Sequence, residues 1–244
     1  MTDIVNSDLT ATLSGAGFTA KNIMEFVPEV PADGLVAIWR GDVGVTEESG
    51  AVSQWAGVPN QPAVQGTAAA RPTLSGDNIV FDGSDDYLTT DVTLNGDGGY
   101  IAVKVKMTNI TSVKALGGAQ SSLSQRAWFG IDSTKRAFFS IGSQSQTFRA
   151  ATVLVVDSEY VLGFSWDDAT GLAKIRIDGS ELNSVTFNAG GETVSPLAID
   201  IGANNFVGSP ANNINGEIIA LAVFEGTPGT DFDVDAIDVA MAAF

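Results

Sequence analysis

A chain of 244 residues with 29 acidic against 12 basic side chains and a formal net charge of −17 repels phosphate backbones and anionic membranes, and no basic stripe with interleaved aromatics offsets that repulsion. Histidine and cysteine are both absent, which excludes Ser-His-Asp and Cys-His nucleophilic catalysis, zinc sites of the usual ligand types, disulfides and thiol redox chemistry. No Pro/Ser-rich linker divides the middle and no Walker-type phosphate loop occurs, so one large domain without a nucleotide site is expected.

Residues 1–33 read as an arm of mixed polar and apolar character, with Ile4, Leu9, Leu13 and Phe18 followed by Ile23, Met24, Phe26 and Val27, and ending in the Pro28–Pro31 punctuation. Two readings stand side by side: an extra strand or short helix packed on the body, or a docking segment in which Ile23, Met24, Phe26 and Val27 pack on a neighbour. Its opening, MTDIVNSDLTATLSG, has neither a positive n-region nor an apolar stretch long enough for a leader or a membrane span.

From Leu35 the chain turns into short apolar runs separated by turns, as at Gly98-Gly99, Gly117-Gly118 and Asp178-Gly179. LVAIW ends at Trp39, SGAVSQWA surrounds Trp55, and both tryptophans are expected in the core. FDGSDDYL begins at Phe81 and places Asp82, Asp85 and Asp86 around a tight turn. Such acids cap local backbone N–H groups, and clustered carboxylates are also the ligand type that calcium selects. In YIAVKVKM, Ile101, Val103, Val105 and Met107 alternate with Tyr100, Ala102, Lys104 and Lys106, the pattern of a strand with one solvated face. Trp128 follows the polar run SSLSQR beside Phe129, so one ring of the pair faces outward and Trp128 is a candidate sugar-stacking platform. AKIRID sets Ile175 and Ile177 against Lys174, Arg176 and Asp178, read as a solvated charged face before an Asp-Gly hairpin turn. Asn204, Asn205 and Asn212 occupy loops before the last long strand, where amides either fill the loop or bond ligand hydroxyls. Val234, Ile237, Met241 and Phe244 recur at helical spacing, with Thr230 or Asp231 as the expected cap and Asp233 and Asp235 in the first turn.

The ordered blocks LVAIW, SGAVSQWA, AAARPTL and FDGSDDYL, then EYVLGFSWDDATGLAKIRIDGSEL and IGANNFVGSPANNINGEIIALAVF, resemble the laminin G-like, concanavalin A-like lectin-glucanase superfamily over residues 34–244. The resemblance implies an all-β, concanavalin A-like jelly-roll β-sandwich of two antiparallel sheets, here with an N-terminal arm and a short C-terminal helix. It also implies calcium as a possible cofactor and, from the family's use in phage tails and capsids, a virion surface protein. The expected role is a non-enzymatic capsid-decoration or tail-appendage subunit, assembled in the host cytoplasm as a homo-oligomer. Its partners would be other virion proteins, reached through the arm, and a cell-surface glycan. The alternative is a standalone carbohydrate-binding module, and a glycoside hydrolase comes third. No Glu-x-Asp-x-Glu strand is present to serve that last reading, so no catalytic residue is assigned.

Overall fold

The computed structural model describes residues 30–94, 96–142, 147–187, 195 and 197–244. The arm residues Ile23, Met24, Phe26 and Val27 lie outside them. The described chain forms nineteen strands, β1 to β19, a one-turn 3-10 helix at Ala68–Ala70 and a terminal helix α1 at Val234–Ala243. Two sheets stack face to face, which is the jelly-roll sandwich expected from the alternating apolar runs.

The first sheet is ordered β15(Ser180–Thr186), β14(Leu172–Ile177), β13(Glu159–Asp167), β8(Gly98–Met107), β19(Asn215–Glu225), β6(Asn78–Asp82), β5(Thr73–Ser75). On the flank of β19 away from β8, β6 pairs with its first half and β1(Leu35–Arg40) with its second, so eight strands are joined. The second sheet runs β12(Thr147–Arg149), β11(Ala137–Ile141), β10(Gln125–Ile131), β9(Lys114–Ser122), β16(Asp200–Ile201), β7(Leu88–Thr89), β4(Ala63–Val64), β3(Ala51–Trp55), β2(Val45–Glu48). The hairpin β17(Asn204–Phe206) and β18(Ser209–Ala211) joins it through a parallel pairing of β17 with β9.

The main core fills the gap between the sheets, because every second residue of each inner strand points there. Phe129 and Phe139 of the second sheet meet Phe164 of the first at ring-centre distances of 5.3 and 5.9 Å, and Phe139 meets Trp166 at 5.8 Å. Trp39 and Trp55 are fully buried, and each indole N–H donates to a carbonyl, of Gln61 and Arg40 respectively. Tight sandwich packing thus still satisfies its two polar ring atoms.

A second, smaller core corrects the reading of the strand faces. The helix α1 lies on the outer face of the first sheet, where Ile237 and Met241 pack with Val30, Ile38, Tyr100, Ala102, Ala220, Phe224 and Phe232. Tyr100 and Ala102, assigned by alternation to a solvated face, are therefore completely buried, and only Lys104 and Lys106 keep partial exposure. Alternation reports which residues share a face but not what later covers it. Arg176, also read as solvated, sits under the same helix with 8 % of its surface exposed. Its Nε donates to Asp238 Oδ2 at 2.7 Å and its Nη2 to the Gly179 carbonyl at 2.6 Å and to Asp235. The Tyr100 hydroxyl donates to the other oxygen of Asp238. The cap is Asp233 rather than Thr230 or Asp231, since its carboxylate accepts from the N–H groups of Asp235 and Ala236. Asp231 instead closes the preceding turn by accepting from Thr227 N–H.

Candidate functional site

On the second sheet, Leu88, Ile201, Ala127, Phe129 and Phe139 point into the core, so their sequence neighbours face outward. Register then lays one row of outward residues across six strands: Thr89, Asp200, Gly118, Trp128, Ser140 and Thr147. The Trp128-Phe129 pair divides as expected, with Phe129 in the core and Trp128 half-buried on this outer face. Gly118 is obligatory beside it. A Cβ there would stand 2.4 Å from Trp128 Cα and Cβ, and the backbone holds a φ of +137°.

Around Trp128 the surface sinks into an open cavity of about 360 Å³ lined by Val113, Arg126, Trp128, Asp132, Phe138, Thr147 and Arg149. Phe138 meets the indole edge-on at 4.6 Å between ring centres, which fixes the orientation of the ring. The Trp128 Nε1–H is buried and has no acceptor. Asp132 ends β10 and organises the turn to β11. Its Oδ1 accepts from Thr134 N–H at 2.8 Å, Thr134 Oγ1 at 2.6 Å and Arg136 N–H at 3.2 Å, while its Oδ2 accepts from Arg149 Nε at 2.9 Å. Burial alone would raise the Asp132 pKa, but these donors outweigh it and hold the carboxyl below its usual value, so it is ionised at neutral pH. Arg149 is in turn anchored at the cavity by Asp132, and Thr147 is bonded to Ser140 at 2.9 Å.

Further along the row, Asp200 faces outward next to Gly118, two strand spacings or roughly 10 Å from Trp128. Only 3 % of its surface is exposed, and burial, opposed by a hydrogen bond from Thr89, raises its pKa to about 7. Sequence reasoning passed over Asp200, Arg126, Asp132 and Arg149. Arg126 and Asp132 belong to β10 and its end, Arg149 and Asp200 come from other strands, and strand register brings them to one face.

The asparagines expected to bind ligand have structural partners. Asn204 is buried, with Nδ2 3.5 Å from Gln120 Oε1 and its own Oδ1 unpartnered. Asn205 donates to the Ala198 carbonyl and accepts from Gly208 N–H, which shapes the β17–β18 turn. Asn212 is exposed, holds a left-handed φ of +57° and accepts Ala115 N–H through its carbonyl. None of the three lines the Trp128 cavity.

The turn after β6 does gather Asp82, Asp85 and Asp86, with one carboxylate oxygen of each within 4.8 Å of the others. Asp82 Oδ1 accepts from Ser84 N–H and Asp86 Oδ2 from Asp82 N–H, the backbone capping expected of such a turn. Asn213 and Asn215 donate to the carbonyls of Asp86 and Asp82. Burial, with repulsion from Asp82 and Asp85, raises the Asp86 pKa to about 6 despite the backbone bond. Clustered carboxylate oxygens are the ligand type that a calcium ion takes. A further cavity of about 390 Å³ runs beside α1, but its lining of Asp178, Gly179, Asp235, Asp238, Val239 and Ala242 has no aromatic ring, and Arg176 already engages Asp235 and Asp238.

No family model and no curated protein matches this chain. Solved structures do. The Trypanosoma rangeli sialidase in complex with the inhibitor DANA superimposes with a TM-score of 0.58 at 13% identity, over 87% of this chain and 33% of that one. The leech intramolecular trans-sialidase complexed with 2,7-anhydro-Neu5Ac gives 0.54 at 13% identity, over 68% of this chain and 27% of that one. The CBM40 of the Ruminococcus gnavus IT-sialidase bound to α2,3-sialyllactose gives 0.49 at 13% identity, over 59% of this chain and 82% of that one. This chain thus spans about a third or less of the length of the two sialidases, and the likeness to them is one of fold.

Proposed function

We propose that this chain is a non-catalytic carbohydrate-binding protein whose ligand sits in the Trp128 cavity. One observation carries the reading: a fixed aromatic ring and a few anchored polar groups converge in an open cavity of about 360 Å³ on the outer face of a sheet. That combination of apolar surface and convergent polar groups is the general form of a small-ligand site, and an indole face matches the C–H face of a pyranose. Hydrolysis is disfavoured by the same lining. Glycoside cleavage needs two carboxyl groups on either side of the scissile bond, and Asp132 is the single acid among the described residues of the cavity. The test is saturable binding of the full chain to a panel of oligosaccharides, lost in Trp128→Ala with the fold intact, and with no release of reducing ends. A panel without any saturable ligand would overturn the reading. Sugar release abolished by one Asp or Glu substitution would replace it with an enzymatic one.

Display on a bacteriophage particle, as a capsid-decoration or tail-appendage subunit, is the second reading and rests on the sequence resemblance. A glycan site on such a subunit would serve adhesion to a host. In that setting residues 1–33 dock on a neighbouring virion protein, and Phe26→Asp blocks incorporation more than a charge change at Glu29, because burying an unpaired carboxylate is the costlier event. Labelling of the protein on intact particles tests the placement.

A further inference from the structure

We propose that the ligand held at Trp128 is a glycan chain rather than a single sugar, and that it runs across β10, β9 and β17 to a second stacking ring, Phe206; this rests on the carbohydrate-binding reading above. Phe206 keeps 44 % of its surface exposed, and register puts it on the face that carries Trp128. Ala119 and Ala127 pair with each other and point into the core, so the adjacent pair, Gln120 and Arg126, faces outward. Phe206 pairs with Gln120 and therefore faces outward as well. Asn204, which precedes it on the same side of β17, has its Nδ2 3.5 Å from Gln120 Oε1. Phe206 is thus two strand spacings from Arg126, and Trp128 lies two residues further along β10, which separates the Cα atoms of Phe206 and Trp128 by roughly 12 Å. A single pyranose, a six-membered ring with bonds of about 1.5 Å, does not reach both, whereas a short chain of such rings does.

The turn that carries the ring is held in place. Phe206 ends β17, and beyond it Val207 N–H donates to the Gln120 carbonyl at 2.7 Å while Gly208 N–H donates to Asn205 Oδ1 at 3.0 Å. A backbone pinned on both sides loses little freedom when a ligand arrives. The surroundings suit sugar hydroxyls. Ser209 stands opposite Phe206 in the β17–β18 hairpin on the same outer side, is exposed, and carries a hydroxyl that both donates and accepts. Residues 115–125 and 201–216, which build this end of the sheet, contain no charged side chain in a chain with 29 acids and 12 bases. An anionic sugar gains no counter-charge from these stretches, so the units lying at Phe206 are assigned as neutral, bound by stacking and hydroxyl contacts.

Titration calorimetry on the full chain tests the proposal with cello-, laminari-, xylo- and chito-oligosaccharides from disaccharide to hexasaccharide, and with the chain-length homologues of any further ligand from the oligosaccharide panel. In the series that binds, the hexasaccharide is expected to bind about ten-fold or more tightly than the disaccharide, the order that one added aromatic contact supplies. Phe206→Ala is expected to bring the hexasaccharide down to the disaccharide affinity and to leave the disaccharide unchanged. Phe206→Leu, which keeps apolar bulk without the ring, is expected to do the same, and Phe206→Trp to retain the length dependence. Equal affinity along a series that needs Trp128, or a length dependence that survives both Phe206→Ala and Phe206→Leu, would overturn the chain assignment and leave the carbohydrate reading standing. A change at Phe206 that alters the oligomeric state but not the affinity would assign the ring to contacts between copies and overturn it likewise. No binding of any series, together with an empty panel, would overturn both.

Discussion

Replacing Arg176 with Met tests whether the ion network under α1 holds the terminal helix to the sheet. The guanidinium reaches Asp238 at 2.7 Å and the Gly179 carbonyl at 2.6 Å, and also Asp235, from a position with 8 % exposure, and Asp238 itself is 3 % exposed. Removing one partner of a buried pair leaves an uncompensated charge and costs about 3–5 kcal/mol, more than the pair contributes relative to an apolar replacement of both. The helix buries Ile237 and Met241 against Tyr100 and Phe232, so the loss is shared by the whole second core and unfolding stays cooperative. For a chain of this size the expected fall in Tm is about 6–20 °C. Burial raises the Asp238 pKa, and the bonds from Tyr100 and Arg176 hold it back. In Arg176→Met the folded pKa rises further. A carboxyl with a raised folded pKa contributes its stability below the unfolded value and loses it as pH rises through the folded value. The deficit of the variant is therefore expected to be smaller at pH 4 than at pH 7, and Asp238→Leu in the same chain should recover most of it. Urea unfolding of the wild type, both single variants and the double variant at the two pH values provides the measurement. A loss under about 1 kcal/mol at pH 7, or one that is equal at both pH values, would refute the argument.

The other perturbations concern the sheets. Asp200→Asn is expected to stabilise the protein by about 2–4 kcal/mol at pH 8 and not at all near pH 4, because the wild-type carboxyl, raised to about 7, loses stability as pH climbs between those limits; equal melting curves at pH 8 would contradict the burial of that group. Gly118→Ala is expected to cost about 2–4 kcal/mol and to displace Trp128, read by indole fluorescence, since its Cβ would meet Trp128 at 2.4 Å. The acidic turn is checked by melting with calcium and with chelator: a cation held by Asp82, Asp85 and Asp86 raises Tm by mass action, and Asp86→Ala removes the gain. Unaltered melting would leave that turn as backbone capping alone.

Much of the architecture is legible in one dimension because it follows from local rules. Period-two alternation in residues 100–107 and 173–178, the Gly and Asp-Gly punctuation and the apolar spacing of Val234, Ile237 and Met241 each report one element and the residues that share its faces. The same rules place Phe129 or Trp128 outward and the acids after Phe81 in a capped turn, and both are seen. The cap of α1 fell one element of context beyond them, since Asp231 and Asp233 are chemically equal and only the path of the chain from Thr227 decides which meets the helix.

Tertiary structure alone decided the rest. Arg176 looks like any strand-face cation until a helix 59 to 62 residues later lays Asp235 and Asp238 over it. The Trp128 cavity is of the same kind: Arg126, Asp132 and Arg149 carry no common motif, and two hairpins and the β11–β12 pairing set their register. Composition and periodicity determine which residues share a strand or helix face, because that depends on each segment's own pattern. Which polar groups meet, and so what the surface binds, depends on long-range register and on what covers each face, and neither is written in any local stretch of chain.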